Sequence, residues 1–317
     1  MDVFGSRFRL EIFGASHAPC VGVTLRGVPA ALPLSPDDFT ADLRRRKSGA
    51  PGTTPRIEDD LPQFDDRRAT DGTLTITFAN RNYRDEDYKD FTDIPRPGHA
   101  DFVAMARYGS LRDGWFSGRM TLPLVAAGVV AKKLITPTLV EARLTEVSGI
   151  AAVETEAVAQ ALETAAREGD SLGGIVECRC SGVPVGLGEP FFDSLESLLA
   201  HAVFSIPGIR GIEFGDGFAA ARMTGSAHND PFIDAEGHTA RNGAGGINGG
   251  LSNGNPIVFR VAVKPTSSIR KVQRTFDFAH GRLIDYAVPG RHDVCFALRV
   301  PPVVEAVTAC VLANLIL

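Results

Sequence analysis

The stretch Val21-Gly-Val-Thr-Leu-Arg-Gly-Val-Pro29 sets the pattern from which the fold can be predicted. Its β-branched and aliphatic residues predict a strand over 21–26, and the Gly-Val-Pro sequence at 27–29 predicts the turn that ends it. A helix should follow, because Ser35 is a typical N-cap residue and Pro36 suits the first helical position. This helix is predicted to end in a run of four basic residues that starts at position 44.

The order of strand, turn and helix returns in the second half of the chain. Gly174 to Cys180 has the composition of a strand, and Gly182-Val-Pro184 repeats the turn. Asp193 and Glu196 are predicted to cap the helix that follows, which carries leucines on one face. The repetition predicts two similar α/β units.

The same correspondence continues to the C-terminal end of each half. The paired segments are Thr73–Phe78 with Pro256–Val263, Pro97–Asp101 with Pro289–Asp293, and the helices predicted over 119–135 and 299–316. Each of these helices begins at an arginine and has proline in its first turn, where proline is tolerated. If a pseudo-twofold axis relates the units, the two histidine-bearing loops lie near each other.

Two further segments complete the prediction of secondary structure. A helix is predicted over Thr155–Glu168, with Gly169 ending it. The segment Gly243 to Gly254 holds six glycines in twelve residues. We expect a loop there, at a place where the backbone comes close to another group.

Composition limits the class of protein. The 317 residues are 44% hydrophobic and 22% charged, which is typical of a globular domain with a large core. The net charge of −5 argues against general nucleic-acid binding. No apolar run approaches the roughly 18 residues that span a bilayer, and the N-terminus lacks a signal-peptide pattern, so a cytoplasmic location is expected and no membrane partner is predicted. The five cysteines are scattered, which indicates neither disulfides nor a metal site.

Two features leave alternatives open. The basic run Arg44–Lys47 is either a solvated helix end or an anion site. The glycine-rich segment Ala244–Gly250, together with the hydroxyls of Lys264–Ser268, suits a phosphate or the edge of a flavin, but it also fits a tight turn between strands. Neither a dinucleotide-binding fingerprint nor a P-loop is present.

Eight segments in this order resemble the motifs of chorismate synthases, over a region from about Phe8 to the C-terminus. They are Gly14–His17, Arg45–Gly49 with Pro55–Glu58, Arg96–Asp101, Ser181–Pro190, Gly211–Phe218, Ala244–Gly250, Lys264–Ser268 and Gly290–Asp293. The resemblance implies an α+β fold, a layered β-α-β sandwich with a pseudo-twofold internal duplication. It implies a single domain over 1–317, built from halves of about 8–136 and 170–317 with a short helical insertion near 151–169.

The resemblance also implies a function. Members of the family are lyases that remove phosphate from 5-enolpyruvylshikimate 3-phosphate by an anti 1,4-elimination, which gives chorismate in the shikimate pathway of aromatic amino acid biosynthesis. The ring hydrogen that departs is not acidic, so a general base alone would leave an unstabilised carbanion. Reduced FMN shares its electrons in the family, with no net redox change. NADPH as reductant or a separate flavin reductase, and a homotetramer, are further expectations.

The site residues are carried over by position in the motifs. His17 would assist the departing phosphate, His99 would control protonation of the flavin, and Asp293 would act with the flavin in removing the ring hydrogen. Flavin contacts are expected at Ser117, Pro207, Gly208, Gly249, Lys264, Pro265, Thr266, Ser267, Ser268 and Arg291. Binding of the substrate or of NADPH is expected at Arg45, Arg46 and Arg119, and no metal is predicted.

The chain departs from the family pattern near position 115. Trp115 stands where the family has an arginine that contacts flavin, and Met120 stands in place of a glutamate. An aromatic ring can pack on a flavin, but it cannot replace a charge-assisted phosphate contact. Two alternatives to the lyase therefore remain, namely a catalytically silent protein that binds FMN or shikimate phosphate, and a flavin oxidoreductase with net electron transfer.

Overall fold

The computed structural model describes residues 3–64, 72–82 and 90–317. Two antiparallel sheets enclose a layer of helices, and the core lies between the sheets and this layer. Within the described ranges, no helix is long and apolar enough to cross a membrane.

The first sheet comes from the N-terminal part of the chain. The elements there are β1 (Val3–Phe4), β2 (Arg9–Gly14), β3 (Cys20–Arg26), α1 (Thr40–Arg46), β4 (Leu74–Ala79), α2 (Asp101–Tyr108) and α3 (Thr121–Leu134). The strands pair in the order β1-β2-β3-β4. Alternate residues Val21, Val23 and Leu25 of β3 are fully buried, because side chains on a strand alternate between the two faces of the sheet.

The second sheet comes from the C-terminal part. The elements there are β5 (Leu139–Val147), β6 (Ile150–Ala151), α4 (Thr155–Glu168), β7 (Gly174–Ser181), α5 (Leu195–Val203), β8 (Ile209–Phe214), α6 (Gly225–His228), β9 (Ile247–Asn248), β10 (Leu251–Ser252), β11 (Ile257–Val263), β12 (Gln273–Asp277), β13 (Arg282–Tyr286) and α7 (Pro301–Ile316). The sheet has the order β6-β5-β7-β11-β8. Two short hairpins, β9 with β10 and β12 with β13, stand outside it.

The helices α3 and α7 form the centre of the middle layer. Both are buried along almost their whole length, so they are apolar on all sides rather than on one stripe. They pack closely because Gly128 faces Ala306, where a Cβ built on the glycine would lie 2.2 Å from the Ala306 Cβ. The sheet, helix and sheet layers confirm the predicted α+β fold class.

The two halves use their elements in the same order. In the first half β2 and β3 are followed by α1, β4 and α3, and in the second β5 and β7 are followed by α5, β11 and α7. The strands pair as β2-β3-β4 in one sheet and as β5-β7-β11 in the other. This shared order is consistent with the internal duplication that the repeated motifs predict.

One of the predicted elements is confirmed in its bounds, and other sequence predictions need correction. The helix α4 has its predicted bounds, with Gly169 in the left-handed conformation after it. The N-cap of α5 is Ser194 rather than Asp193, and its hydroxyl accepts the Ser197 N–H at 3.2 Å. The segment Gly243–Gly254 is not wholly a loop, since it contains the β9–β10 hairpin. The nine-residue strand β5 was not predicted.

Candidate active site

A cavity of about 830 Å³ opens where loops from both halves of the chain meet. Its size falls in the range of small-molecule sites, which runs from about 300 to 1,000 Å³. The wall includes residues 16–17, 96, 98–100 and 115–119 of the first half and 204–208, 264–268 and 291–293 of the second. Residues far apart in sequence thus contribute to one site.

Most of the predicted site residues line this cavity. They are His17, Arg46, His99, Ser117, Arg119, Pro207, Gly208, Lys264, Pro265, Thr266, Ser267, Ser268, Arg291 and Asp293. Two predicted residues, Arg45 and Gly249, are not part of the wall. The three side chains proposed from the motifs as catalytic therefore share one cavity.

Other interactions account for Arg45 and Gly249. The Arg45 guanidinium donates to both carboxylate oxygens of buried Glu305 on α7, each at 2.7 Å. Gly249 lies in the turn between β9 and β10, which is the tight turn that the sequence left open as an alternative. Within this chain, their positions do not support the predicted contacts with a ligand in the cavity.

The loop that carries His17 is held by side chains from elsewhere in the first half. Arg56 donates to the Ser16 hydroxyl at 2.9 Å, and its own position is fixed by an ion pair with Glu58 at 2.8 Å. The Asn80 amide donates to the carbonyls of Ala15 at 2.9 Å and Ala18 at 2.7 Å. The His17 imidazole is therefore presented to the cavity from a fixed backbone.

The His99 loop depends on a glycine before the histidine. Gly98 has a φ of +70°, which favours glycine, and its carbonyl accepts the Lys264 ammonium at 2.5 Å and the Ser267 hydroxyl at 2.8 Å. Burial lowers the pKa of His99, and nearby Arg96 and Lys264 add to the effect, while Asp101 opposes it. His99 is therefore a neutral imidazole at neutral pH.

Asp293 is held as an acceptor at the cavity wall. One carboxylate oxygen accepts the Thr54 N–H at 2.9 Å, and the other accepts the Arg299 guanidinium at 2.7 Å. Arg299 is itself a buried residue of the cavity wall. These contacts fix the carboxylate while one edge of the residue faces the cavity.

Arg46 and Arg119 form a buried cationic wall around one carboxylate. Asp60 accepts Arg46 at 2.7 Å through one oxygen and Arg119 through the other, and Asp60 has a positive φ of 56°. Burial lowers the pKa of Arg46 to about 10. The positive charges of Arg299 and Arg119 lower this pKa further, whereas the negative charge of Asp60 raises it. Arg46 therefore remains a cation at neutral pH.

Two arginines that line the cavity, Arg46 and Arg299, keep unused donors. Among the described residues, the Nε atoms of Arg46 and Arg299 are buried and have no hydrogen-bond partner. A buried donor without a partner is costly, and a bound anion would remove that cost. For Arg46, this favours the anion-site interpretation of the basic run.

The sequence prediction omitted several residues of the wall. Arg56, Asp60, Arg96 and Arg299 line the cavity but were not among the predicted site residues. A signal existed for Arg299, because it precedes α7 as Arg119 precedes α3 in the internal repeat. Asp60 had no comparable signal, since its role arises from two arginines that tertiary structure brings to it.

The departures from the family pattern also lie at the cavity. Trp115 lines it, and the Arg112 guanidinium stacks over the indole ring at 3.8 Å. Met120 is a buried part of the wall. This stretch therefore offers an aromatic and a thioether side chain where the family pattern has charges.

Comparison with known proteins identifies the family. The family model described as chorismate synthase matches residues 8–317. A chorismate synthase of Chitinophaga pinensis is 56% identical over all of this chain and 97% of that protein, and one of Methanosarcina barkeri is 42% identical over 99% of this chain and 95% of that protein.

A solved structure supports the fold. A crystal structure of chorismate synthase superposes with a TM-score of 0.74, covering 98% of this chain and 92% of that chain at 23% sequence identity. The family model and the relatives carry the assignment to a family, because they cover nearly the whole chain. The chain belongs to the chorismate synthase family, whose members are lyases.

Proposed function

We propose that this chain converts 5-enolpyruvylshikimate 3-phosphate to chorismate by anti 1,4-elimination of phosphate, with reduced FMN and no net redox change. The observation that carries the proposal is the convergence of His17, His99 and Asp293 on one cavity with a buried arginine wall. Loss of a proton requires a general acid–base group, and loss of phosphate requires groups that stabilise the negative charge of the leaving anion.

The arginines would bind the anionic groups of the substrate. A phosphate and two carboxylates need several cations, and guanidinium groups bind both kinds of anion through paired N–H donors. The unpartnered Nε donors of Arg46 and Arg299 and the guanidinium of Arg291 lie in the wall of the same cavity. They would orient the substrate and stabilise the charge that develops on the leaving phosphate.

The two histidines and the aspartate would handle protons. His17, on its fixed loop, would donate a hydrogen bond or a proton to the departing phosphate. Asp293 is held by Arg299 and Thr54, so it would act as a carboxylate at the place where the ring hydrogen leaves. His99, neutral in this environment, would hold or move a proton at the cofactor.

The cavity residues fit a flavin nucleotide. Gly208 has a φ of +88° and presents backbone at the wall, Ser117 adds a hydroxyl, and Trp115 adds a flat ring. The Thr266 hydroxyl is a buried polar atom with no partner among the described residues, so a ligand could bind it. Ser117, Pro207, Gly208, the 264–268 segment and Arg291 would hold FMN. When bound there, reduced FMN would supply electron density for the elimination without net redox change.

An anaerobic assay separates this function from its alternatives. The protein is mixed with reduced FMN and the substrate, and chorismate and the flavin spectrum are followed together. Catalytic chorismate formation with the flavin still reduced supports the lyase. Binding without turnover would favour the silent protein, and oxidised flavin would favour an oxidoreductase.

The assembly is proposed to be a homotetramer. Large aromatic side chains on the surface support burial against other copies, since Phe191, Phe192, Phe218 and Phe232 are each at least 76% exposed. Light scattering with size-exclusion chromatography should give four chains per particle, and a monomer at micromolar concentration would contradict this.

The source of reduced flavin is a separate question. We infer that either NADPH reduces FMN on this protein or a separate reductase supplies reduced FMN. The protein is incubated anaerobically with NADPH and FMN, without any other enzyme. Bleaching of the flavin spectrum in this mixture requires reductase activity of the protein itself. No bleaching until a flavin reductase is added would assign that step to a partner.

A further inference from the structure

Helix α2 begins, two residues after His99, with a buried carboxylate that the proposed reaction does not use. Asp101 is 2% exposed and is not part of the cavity wall, whereas His99 is. One Asp101 oxygen lies 2.8 Å from His99 Nδ1. The carboxylate therefore contacts the imidazole from the side away from the cavity.

We propose that Asp101, held by Arg96, is a positioning residue that keeps His99 in the Nδ1-protonated tautomer and so leaves Nε2 as an acceptor for the cavity. The proposal rests on the proposed function in taking His99 as a proton-handling group. The tautomer itself can be measured without any turnover.

Arg96 makes the carboxylate rigid. It pairs with Asp101 in a bidentate manner, with Nε and Nη2 each 2.7 Å from a different oxygen, and its backbone N–H donates to the same side chain at 3.0 Å. The guanidinium also donates to the Ser268 hydroxyl at 3.1 Å and stacks over the Phe91 ring at 4.1 Å. A bidentate pair of this kind fixes direction as well as distance.

The position of the proton follows from the chemistry of the neighbours. The Asp101 pKa is far below its usual range, because hydrogen bonds from Arg96 and His99 outweigh the effect of burial, so the carboxylate has no proton to donate. A contact of 2.8 Å to an unprotonated Nδ1 would oppose two lone pairs, whereas Nδ1–H would make a charge-assisted hydrogen bond.

The contact between Arg96 and His99 suggests the opposite assignment at first. Arg96 Nη2 lies 3.0 Å from Nδ1 and could donate to it. However, the same Nη2 lies closer, at 2.7 Å, to the charged oxygen of Asp101, which is the stronger acceptor. The arrangement therefore places a donor Nδ1–H and a donor guanidinium around one carboxylate oxygen.

The remaining ring nitrogen then faces the cavity without a proton. A neutral imidazole carries one N–H, and the described residues offer Nε2 no hydrogen bond that would hold that proton there. Arg96, Lys264 and burial all disfavour a second proton on the ring, and Asp101 alone favours it. His99 can thus accept a proton or a hydrogen bond from a ligand at Nε2.

The first test is ¹⁵N NMR of the wild-type protein labelled at histidine, without substrate. The His99 resonances are assigned by their loss in His99→Ala. At pH 7.5 we expect a protonated Nδ1 and an unprotonated Nε2. A predominant Nε2–H tautomer, or an imidazolium, would overturn the proposal whether or not the protein turns over substrate.

The second test uses Asp101→Asn. Loss of the fixed tautomer should lower kcat by about 10²-fold, the lower end of what acid–base catalysis contributes, with KM little changed. The His99 pKa should fall further, because Asp101 is the group that raises it, so the acid limb of the pH profile moves to lower pH. A purely structural role would move neither the tautomer nor that limb.

The matched control is Asp277→Asn. Asp277 is buried and makes the same 2.8 Å contact to the Nδ1 of His280, which is outside the cavity wall. This variant should keep wild-type kcat and the wild-type His99 spectrum. The comparison therefore separates loss of a carboxylate–imidazole pair in general from loss of the pair at the cavity.

A double variant tests whether Asp101 acts through His99. If it does, Asp101→Asn should cause no further loss of kcat in a His99→Ala background. Independent, multiplying losses would overturn the proposal. If Asp101→Asn does not fold, the wild-type spectrum decides the question by itself.

Discussion

Arg45 and Arg46 are neighbours on α1, yet they serve two different regions of the molecule. The helix-layer cluster consists of Asp42, Arg45, Lys132 and Glu305, and the cavity cluster consists of Arg46, Asp60 and Arg119. Arg45 turns to Glu305 between the helices, whereas Arg46 turns to Asp60 beneath the cavity. Adjacent residues of the same type thus have different surroundings and different roles.

The two clusters differ in how completely their charges and hydrogen-bond donors are paired within the protein. Glu305 accepts Arg45, Lys132 and the Ala142 N–H, each within 2.8 Å, so its charge is compensated inside the protein. Arg46 has only one carboxylate, shared with Arg119, and one buried Nε without a partner among the described residues. A satisfied buried charge indicates a structural role, and an unsatisfied one indicates a ligand.

The largest effects on activity are expected at the histidines of the cavity. His17→Ala or His99→Ala should lower kcat by about 10²-fold or more, because acid–base catalysis is lost. His280→Ala is the control, since His280 is exposed and outside the cavity wall, and it should keep the wild-type rate. Steady-state kinetics measures all three, and wild-type rates in both cavity variants would refute the assigned roles.

Substitution of the two arginines tests the comparison directly. Arg46→Met should weaken substrate binding by about 10- to 100-fold, because hydrogen bonds to charged groups contribute about 1.5–3 kcal/mol. Arg45→Met should leave substrate affinity unchanged, since Arg45 is paired with Glu305 outside the cavity wall. Equal losses of affinity, measured by isothermal titration calorimetry, would show that the two regions do not differ as described.

The helix-layer cluster should affect stability rather than activity. Glu305→Gln removes the charge shared by Arg45 and Lys132, so the free energy of unfolding should fall by about 1–3 kcal/mol, while kcat stays at the wild-type value. Glu177→Gln is the control, because its partner Arg143 is highly exposed and such pairs contribute about 0.2–1 kcal/mol. Urea denaturation measures both free energies. A loss of kcat in folded Glu305→Gln would contradict the prediction that the helix-layer cluster affects stability but not activity.

The smallest expected effect is on the pH dependence of unfolding. Burial tends to raise the pKa of Glu305, but Arg45 and Lys132 outweigh it and hold the pKa below its usual 4.5. The stabilisation is therefore present above pH 4.5 and is lost as the pH falls through the lower folded-state value. Wild type should lose stability more steeply than Glu305→Gln in this acid range. Parallel curves of unfolding free energy against pH for the two proteins would show that Glu305 does not carry this pH dependence.

Local signals explain which elements could be predicted from the sequence. Strands β3 and β7 have β-branched residues followed by Gly-Val-Pro, and α4 has Gly169 at its C-terminal end. Strand β5 was missed because its alternation is interrupted where the register shifts between Leu144 and Glu146. The cap of α5 was misplaced by one residue because Asp193 and Ser194 are both suitable N-cap residues.

The site was predictable only as far as motifs identify its loops. The resemblance indicated His17, His99 and Asp293, but it could not divide the basic run between Arg45 and Arg46. Arg45 and Glu305 are separated by 260 positions, so no local pattern reveals their pairing. The positions of Asp60 and Arg299 likewise follow from packing rather than from sequence spacing.

The decisive experiment is a crystal structure with FMN and 5-enolpyruvylshikimate 3-phosphate bound. We expect density for both molecules in the cavity lined by His17, His99 and Asp293, with anionic groups of the ligands contacting Arg46. Density for either molecule at another surface, with this cavity empty, would contradict it.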